Sequence, residues 1–123
     1  MSSPTNKEGP YHMSYLFTND CVDDFKNKQI NFYVPVNNGR SYTQLDLIII
    51  FVERLNQPTG KSRGHGRDTE ILFKIKDSDA SDDSEFIDVK IRYGTDPEFL
   101  KAYNNANGTH HGMDSVKWEI NKP

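Results

Sequence analysis

The chain has one cysteine, Cys21. No internal disulfide can therefore staple the fold, and a cytoplasmic or other reducing compartment is the expected setting. Long apolar runs are also missing. Nothing approaches the ~18 residues of a membrane-crossing helix, and MSSPTNKEGP lacks the apolar stretch of a secretion signal, so neither a transmembrane segment nor an export signal is expected. Charge of one sign is not in excess either. A net charge of -3 excludes a globally basic nucleic-acid binder. No repeat, low-complexity tract or linker divides the chain, which predicts a flexible arm over 1–10 and a single β-rich domain over 11–123. Apolar residues are sparse at 34%, yet they cluster too tightly for a disordered chain. A domain of this size buries about two-thirds of its unfolded surface without metal or disulfide support.

The clusters alternate. In YHMSYLF, Tyr11, Met13, Tyr15 and Phe17 share one face, which predicts a strand. NDCVDDFKNK opens with a good cap residue, Asn19 or Asp20, and predicts a short helix. QINFYVPV alternates Ile30, Phe32 and Val34. Pro35 cannot donate to a ladder, so this strand is expected at an edge or ending near that residue. Asn37-Asn38-Gly39 then supplies hairpin chemistry. The segment SYTQLDLIIIFVERL fits two periods. Leu45, Ile48, Ile49, Val52 and Leu55 sit at helical spacing, whereas three consecutive isoleucines suit a strand buried on both faces. The strand is favoured, with an α+β fold carrying a helix over 42–56 as the alternative. TEILFKIK, EFIDVKIRY and SVKWEI are clear alternating strands, and DPEFLKAYNNANG reads as a short helix. The expected fold is all-β and mainly antiparallel: a β-sandwich or open barrel of about six strands with one or two short helices.

Two stretches carry dense charge. QPTGKSRGHGR contains Gly60-Lys61-Ser62 but is no phosphate cradle. The first glycine of that motif would fall at Leu55, and two glycines follow where a helix should begin. It is better read as a basic loop over 54–67, with Arg54, Lys61, Arg63, His65 and Arg67 and no acid. Such a loop can contact an anion, a nucleic acid or an acidic partner. No aromatics interleave with these cations, so a stacking platform for single strands is absent.

The second stretch, DSDASDDSEFID over 77–88, holds six acids and no base. Asp77, Asp79, Asp82, Asp83 and Glu85 make it a candidate site for a metal ion or a basic partner. Calcium suits closely spaced carboxylates, although the spacing is not that of a helix-loop-helix calcium site. EILFKIKDSDASDDSEFI resembles the strand-loop-strand of synaptotagmin-type calcium-dependent phospholipid-binding domains. That resemblance implies Asp77, Asp79 and Glu85 as calcium ligands in a module that binds membranes or proteins; the comparable partner loop here is the basic one.

Little else suggests chemistry. His110-His111, His65 and His12 lack metal-ligand spacing. Cys21 lies among Asp20, Asp23 and Asp24, which disfavour a thiolate. No nucleophile elbow occurs, Trp118 fits a core position, and Asn107-Gly108-Thr109 reads as a turn. Nothing nominates an enzyme, and no cofactor besides calcium is suggested. One strand separates the two charged loops, so they are expected at opposite ends of the sheet, about 26 Å apart. The function expected from this pattern is a non-enzymatic binding or assembly module, whose partner is another protein or another copy of itself. Nucleic-acid binding through the basic loop, or calcium-dependent binding through the acidic one, are the alternatives.

Overall fold

The computed structural model describes residues 10–17, 25–55 and 69–121. Among these, seven strands form one antiparallel sheet: β1 (Tyr11–His12), β2 (Gln29–Val36), β3 (Ser41–Gln44), β4 (Leu47–Leu55), β5 (Glu70–Asp77), β6 (Ile87–Arg92) and β7 (Lys117–Ile120). Their order is β1-β7-β2-β4-β5-β6, with β3 beside the second half of β2. The all-β expectation holds, as a single open sheet rather than two facing sheets or a closed barrel. One helix, α1 (Glu98–Asn107), and 3-10 turns at Met13–Phe17, Asp83–Glu85 and Met113–Ser115 complete the described elements.

The run from Leu47 to Leu55 is a strand, and the helical alternative over 42–56 is overturned. Ile49 and Phe51 are fully buried on one face, while Ile48, Ile50 and Val52 are half-buried on the other. The preceding hairpin turns through Asn37 (φ 54°), Asn38 (φ 56°) and Gly39 (φ 82°). Asparagine and glycine enter this left-handed region at least cost. Gly39 N–H then donates to the Val36 carbonyl at 3.1 Å. Pro35 lies one residue from the end of β2, beyond the ladder with β7, which stops at Tyr33.

The expected strand over Tyr11–Phe17 is corrected. Only Tyr11 and His12 pair with β7; from Met13 the chain coils into a 3-10 turn. Burial of Met13, Leu16 and Phe17, spaced by three and four, prevails over the alternation of tyrosines. Residues 1–9 of the arm expected over 1–10, Cys21 and the first part of the helix expected over 19–28 lie outside the described residues. The described end of that segment, 25–28, is a single turn in which the Lys28 amide donates to the Phe25 carbonyl at 3.1 Å.

Cross-strand registers stack the core in rows, because residues directly opposite share a face. One row runs Ile120–Ile30–Ile49–Ile75–Ile87 across five strands. A second joins Phe51, Phe73 and Val89. The cover on this face comes from α1, whose Phe99 stacks on Phe32 at 5.8 Å, and from the turns that bury Leu16, Phe17 and Met113. Pro97 precedes α1, and Gly108 ends it in the left-handed conformation at φ 65°. Asn104 ties α1 to the chain that follows. Its Nδ2 donates to the His111 carbonyl at 2.9 Å, and its Oδ1 accepts from the Thr109 hydroxyl and the His111 amide.

Candidate functional site

β5 is one extended strand of eight residues, a length of about 26 Å. At one end Glu70 pairs with Leu55 of β4; at the other, Asp77 pairs with Leu47. The segment that bears the cations joins β4 to β5 at the Leu55–Glu70 end. Lys61, Arg63, His65 and Arg67 themselves lie outside the described residues.

Arg54 is described, and it is not a surface cation. The β4–β5 register shifts between Phe51 and Glu53, and this bulge leaves Val52 unmatched. Arg54 is thereby turned to the face of Ile71, where it is only 6% exposed.

The acidic loop leaves the sheet at the Asp77 end, and its carboxylates divide into two groups. Three serve the loop itself. Asp82 caps the turn Asp83–Glu85, accepting from the Ser84 amide at 2.9 Å, and Glu85 accepts from the Asp82 amide at 3.4 Å. The Ser84 amide and hydroxyl hold the Asp82 carboxyl below the usual carboxylate range. Asp83 accepts at 3.1 Å from Lys76 Nζ, which also lies 4.8 Å from the Phe86 ring centre. A buried ammonium requires such an anion, and the loop supplies it.

The other group faces outward. Asp77 and Asp79, with Ser78, line a hollow of about 530 Å³ whose fourth wall is Asp46. Asp46 and Asp77 also line a neighbouring groove of about 610 Å³, together with Leu45, Phe99 and Tyr103. Asp46 arrives there because the chain kinks between β3 and β4. Leu45 N–H donates to the Phe32 carbonyl at 2.9 Å, Leu47 N–H donates to the Leu45 carbonyl at 2.8 Å, and the Asp46 carbonyl accepts from the Ser78 amide at 3.2 Å. Phe99 and Tyr103 come one turn apart from α1. Carboxylates beside aromatic rings form a receptor for an ammonium or guanidinium group, with charge on one side and a π face on the other.

Sequence reasoning identified Asp77 and Asp79 but missed Asp46, Phe99 and Tyr103. The i, i+4 spacing of Phe99 and Tyr103 on an expected helix was the available signal; Asp46 had none. For calcium, no three His, Cys, Asp or Glu side chains converge as a metal site among the described residues. Asp82, Asp83 and Glu85 are already engaged by the loop and Lys76. His12, His110 and His111 are likewise not brought together as ligands.

A separate hollow of about 460 Å³ lies between the turn at Met13–Phe17 and the chain after β6, with His12, Tyr93, Asp96 and Asp114 in its wall. Asp96 there accepts from the Met113 amide at 2.8 Å. Among the described residues no helix is long and apolar enough to cross a membrane. No known protein family, curated protein or solved structure matches the chain.

Proposed function

We propose that the chain is a non-enzymatic binding and assembly module, and that its acidic end receives a cationic segment of a partner. The observation that carries this reading is that Asp46 and Asp77 line one groove together with Phe99 and Tyr103. The occupant is the basic stretch 57–67 of a second copy. Lys61, Arg63 and Arg67 supply the charge that the groove's carboxylates and rings accept.

The cationic segment leaves the sheet a full β5 length from Asp77. Contact between opposite ends of successive copies is heterologous and builds rings or filaments. At physiological salt the screening length is about 8 Å, so the charges orient a close approach and act little at range.

The test is a titration of the protein with a labelled peptide of sequence QPTGKSRGHGR. The expected result is saturable binding that weakens as salt rises and falls at least roughly tenfold in Asp46→Asn/Asp77→Asn. Equal binding to that variant would overturn the reading. Capture of DNA or RNA that disappears in Lys61→Ala/Arg63→Ala/Arg67→Ala would replace it with a nucleic-acid function.

A further inference from the structure

β6 pairs with β5 from Glu70↔Arg92 to Ile75↔Ile87, and among the described residues no strand pairs with its other side. An edge of this kind presents a row of backbone donors and acceptors to any strand that matches it. Its side chains separate by face. Ile87, Val89 and Ile91 continue the apolar rows, while Asp88, Lys90 and Arg92 lie on the opposite face with Lys74. Ile87 closes the five-isoleucine row and is nevertheless 62% exposed, against 3% for Ile75 beside it. At the Ile87 end the apolar face thus runs past its own cover to the edge of the sheet, while Val89 is half-buried and Ile91 is 1% exposed.

We propose that β6 is a homodimerisation edge, in which two copies pair antiparallel about a twofold axis through Val89. The sequence of the strand is complementary to itself in this register. Val89 faces Val89, Asp88 faces Lys90 in both directions, and Ile87 faces the second copy's Ile91, so the apolar row continues into the neighbouring sheet. Competing registers each carry a like-charge or cross-face mismatch. An axis through Lys90 pairs Asp88 with Arg92 twice but sets Lys90 against Lys90 at its centre, and an axis through Asp88 sets Asp88 against Asp88. An axis between Val89 and Lys90 sets the apolar face of one copy against the charged face of the other. Asp88 already bonds Lys74 at 3.1 Å within its own sheet. In the dimer it bridges that lysine and the second copy's Lys90, a small network in place of an isolated exposed pair.

This edge is independent of the end-to-end contact proposed above, and the test isolates it. All proteins carry Lys61→Ala/Arg63→Ala/Arg67→Ala, which removes the cationic end, and solution mass is measured by sedimentation equilibrium. The parent is expected to be a dimer. Lys90→Asp, which places Asp88 opposite an acid twice, and Asp88→Lys, which places a lysine opposite Lys90 twice, are each expected to weaken the dimer roughly tenfold or more. An equimolar mixture of the two variants restores complementary pairs in the same register and should again give dimers. A monomeric parent, single variants that dimerise as the parent does, or a mixture that stays monomeric would each overturn the proposal. Circular dichroism of each variant separates loss of pairing from loss of fold.

Discussion

Lys76 Nζ and Asp83 Oδ1 meet at 3.1 Å, with the lysine side chain 7% exposed and the aspartate side chain 93% exposed. The pair joins a nearly buried ammonium on the sheet to the tip of the acidic loop, so part of that loop's charge is a consequence of the fold beneath it. Asp83→Asn should destabilise the protein by about 1–2 kcal/mol, because the lysine loses its anion but can still reach water beside the exposed loop. Lys76→Met removes the demand for an anion and keeps the volume, so it should be near neutral. Adding Asp83→Asn to Lys76→Met should then change little. Urea unfolding of the four proteins, read as a double-mutant cycle, checks this directly.

The cap on the following turn predicts a pH response. Asp82 titrates below its ordinary value because the Ser84 amide and hydroxyl bond its carboxylate. A carboxyl depressed in the folded state contributes stability above its unfolded value of about 4, and that contribution is lost as pH falls through the lower folded value. Asp82→Asn should therefore lower the melting temperature slightly at neutral pH, and the gap to wild type should close in acid. An NMR titration of the Asp82 carboxyl should show it ionising below the usual aspartate value. An ordinary value would remove the cap from the account.

Tyr33 gives the opposite sign. It is pushed above the usual tyrosine range, first by burial and then by donating to Glu119 Oε1 at 2.7 Å. A group raised in the folded state contributes stability that is complete below the unfolded value of about 10 and disappears as pH climbs through the folded one. Wild type should lose stability in strong alkali more steeply than Tyr33→Phe, with the tyrosinate absorbance of Tyr33 appearing late in the titration.

The isoleucine row supplies a contrast within one line of contacts. Ile49→Ala, at the fully buried centre, should cost about 2–5 kcal/mol. Ile87→Ala, at the exposed end of the same row, should stay within about 0.5 kcal/mol in the monomer. Chemical denaturation of both variants decides whether burial follows the row as described. A large loss at Ile87 under monomeric conditions would mean that this position is covered.

How much of this could be read from the chain depends on how local the deciding contacts are. β5, β6 and β7 announce themselves, because Ile71, Phe73, Ile75 and their counterparts alternate with charge; β5 and β6 are moreover consecutive hairpin partners, whereas β7 pairs with the distant β1 and β2. β4 was separable from a helix through the rotamer cost of Ile48, Ile49 and Ile50 and through the asparagine-glycine turn just before it. Met13–Phe17 was misread because its burial at three- and four-residue spacing is selected by distant partners, among them Tyr93 against Phe17 at 5.4 Å. Arg54 could not be placed from alternation, since the bulge after Phe51 reverses the faces. Of the hollow and the groove beside it, Asp77 and Asp79 stood out by density of charge. Asp46, Phe99 and Tyr103 belong to segments that meet only in the folded sheet.

The most direct test of the assembly reading is the mass of the protein in solution as salt is raised, measured for wild type and for Asp46→Asn/Asp77→Asn by sedimentation velocity. Wild type should exceed a dimer at low salt and shrink toward it as salt increases, while the groove variant should remain no larger than a dimer throughout. A wild type that never exceeds a dimer, or a groove variant that assembles as wild type does, would contradict it.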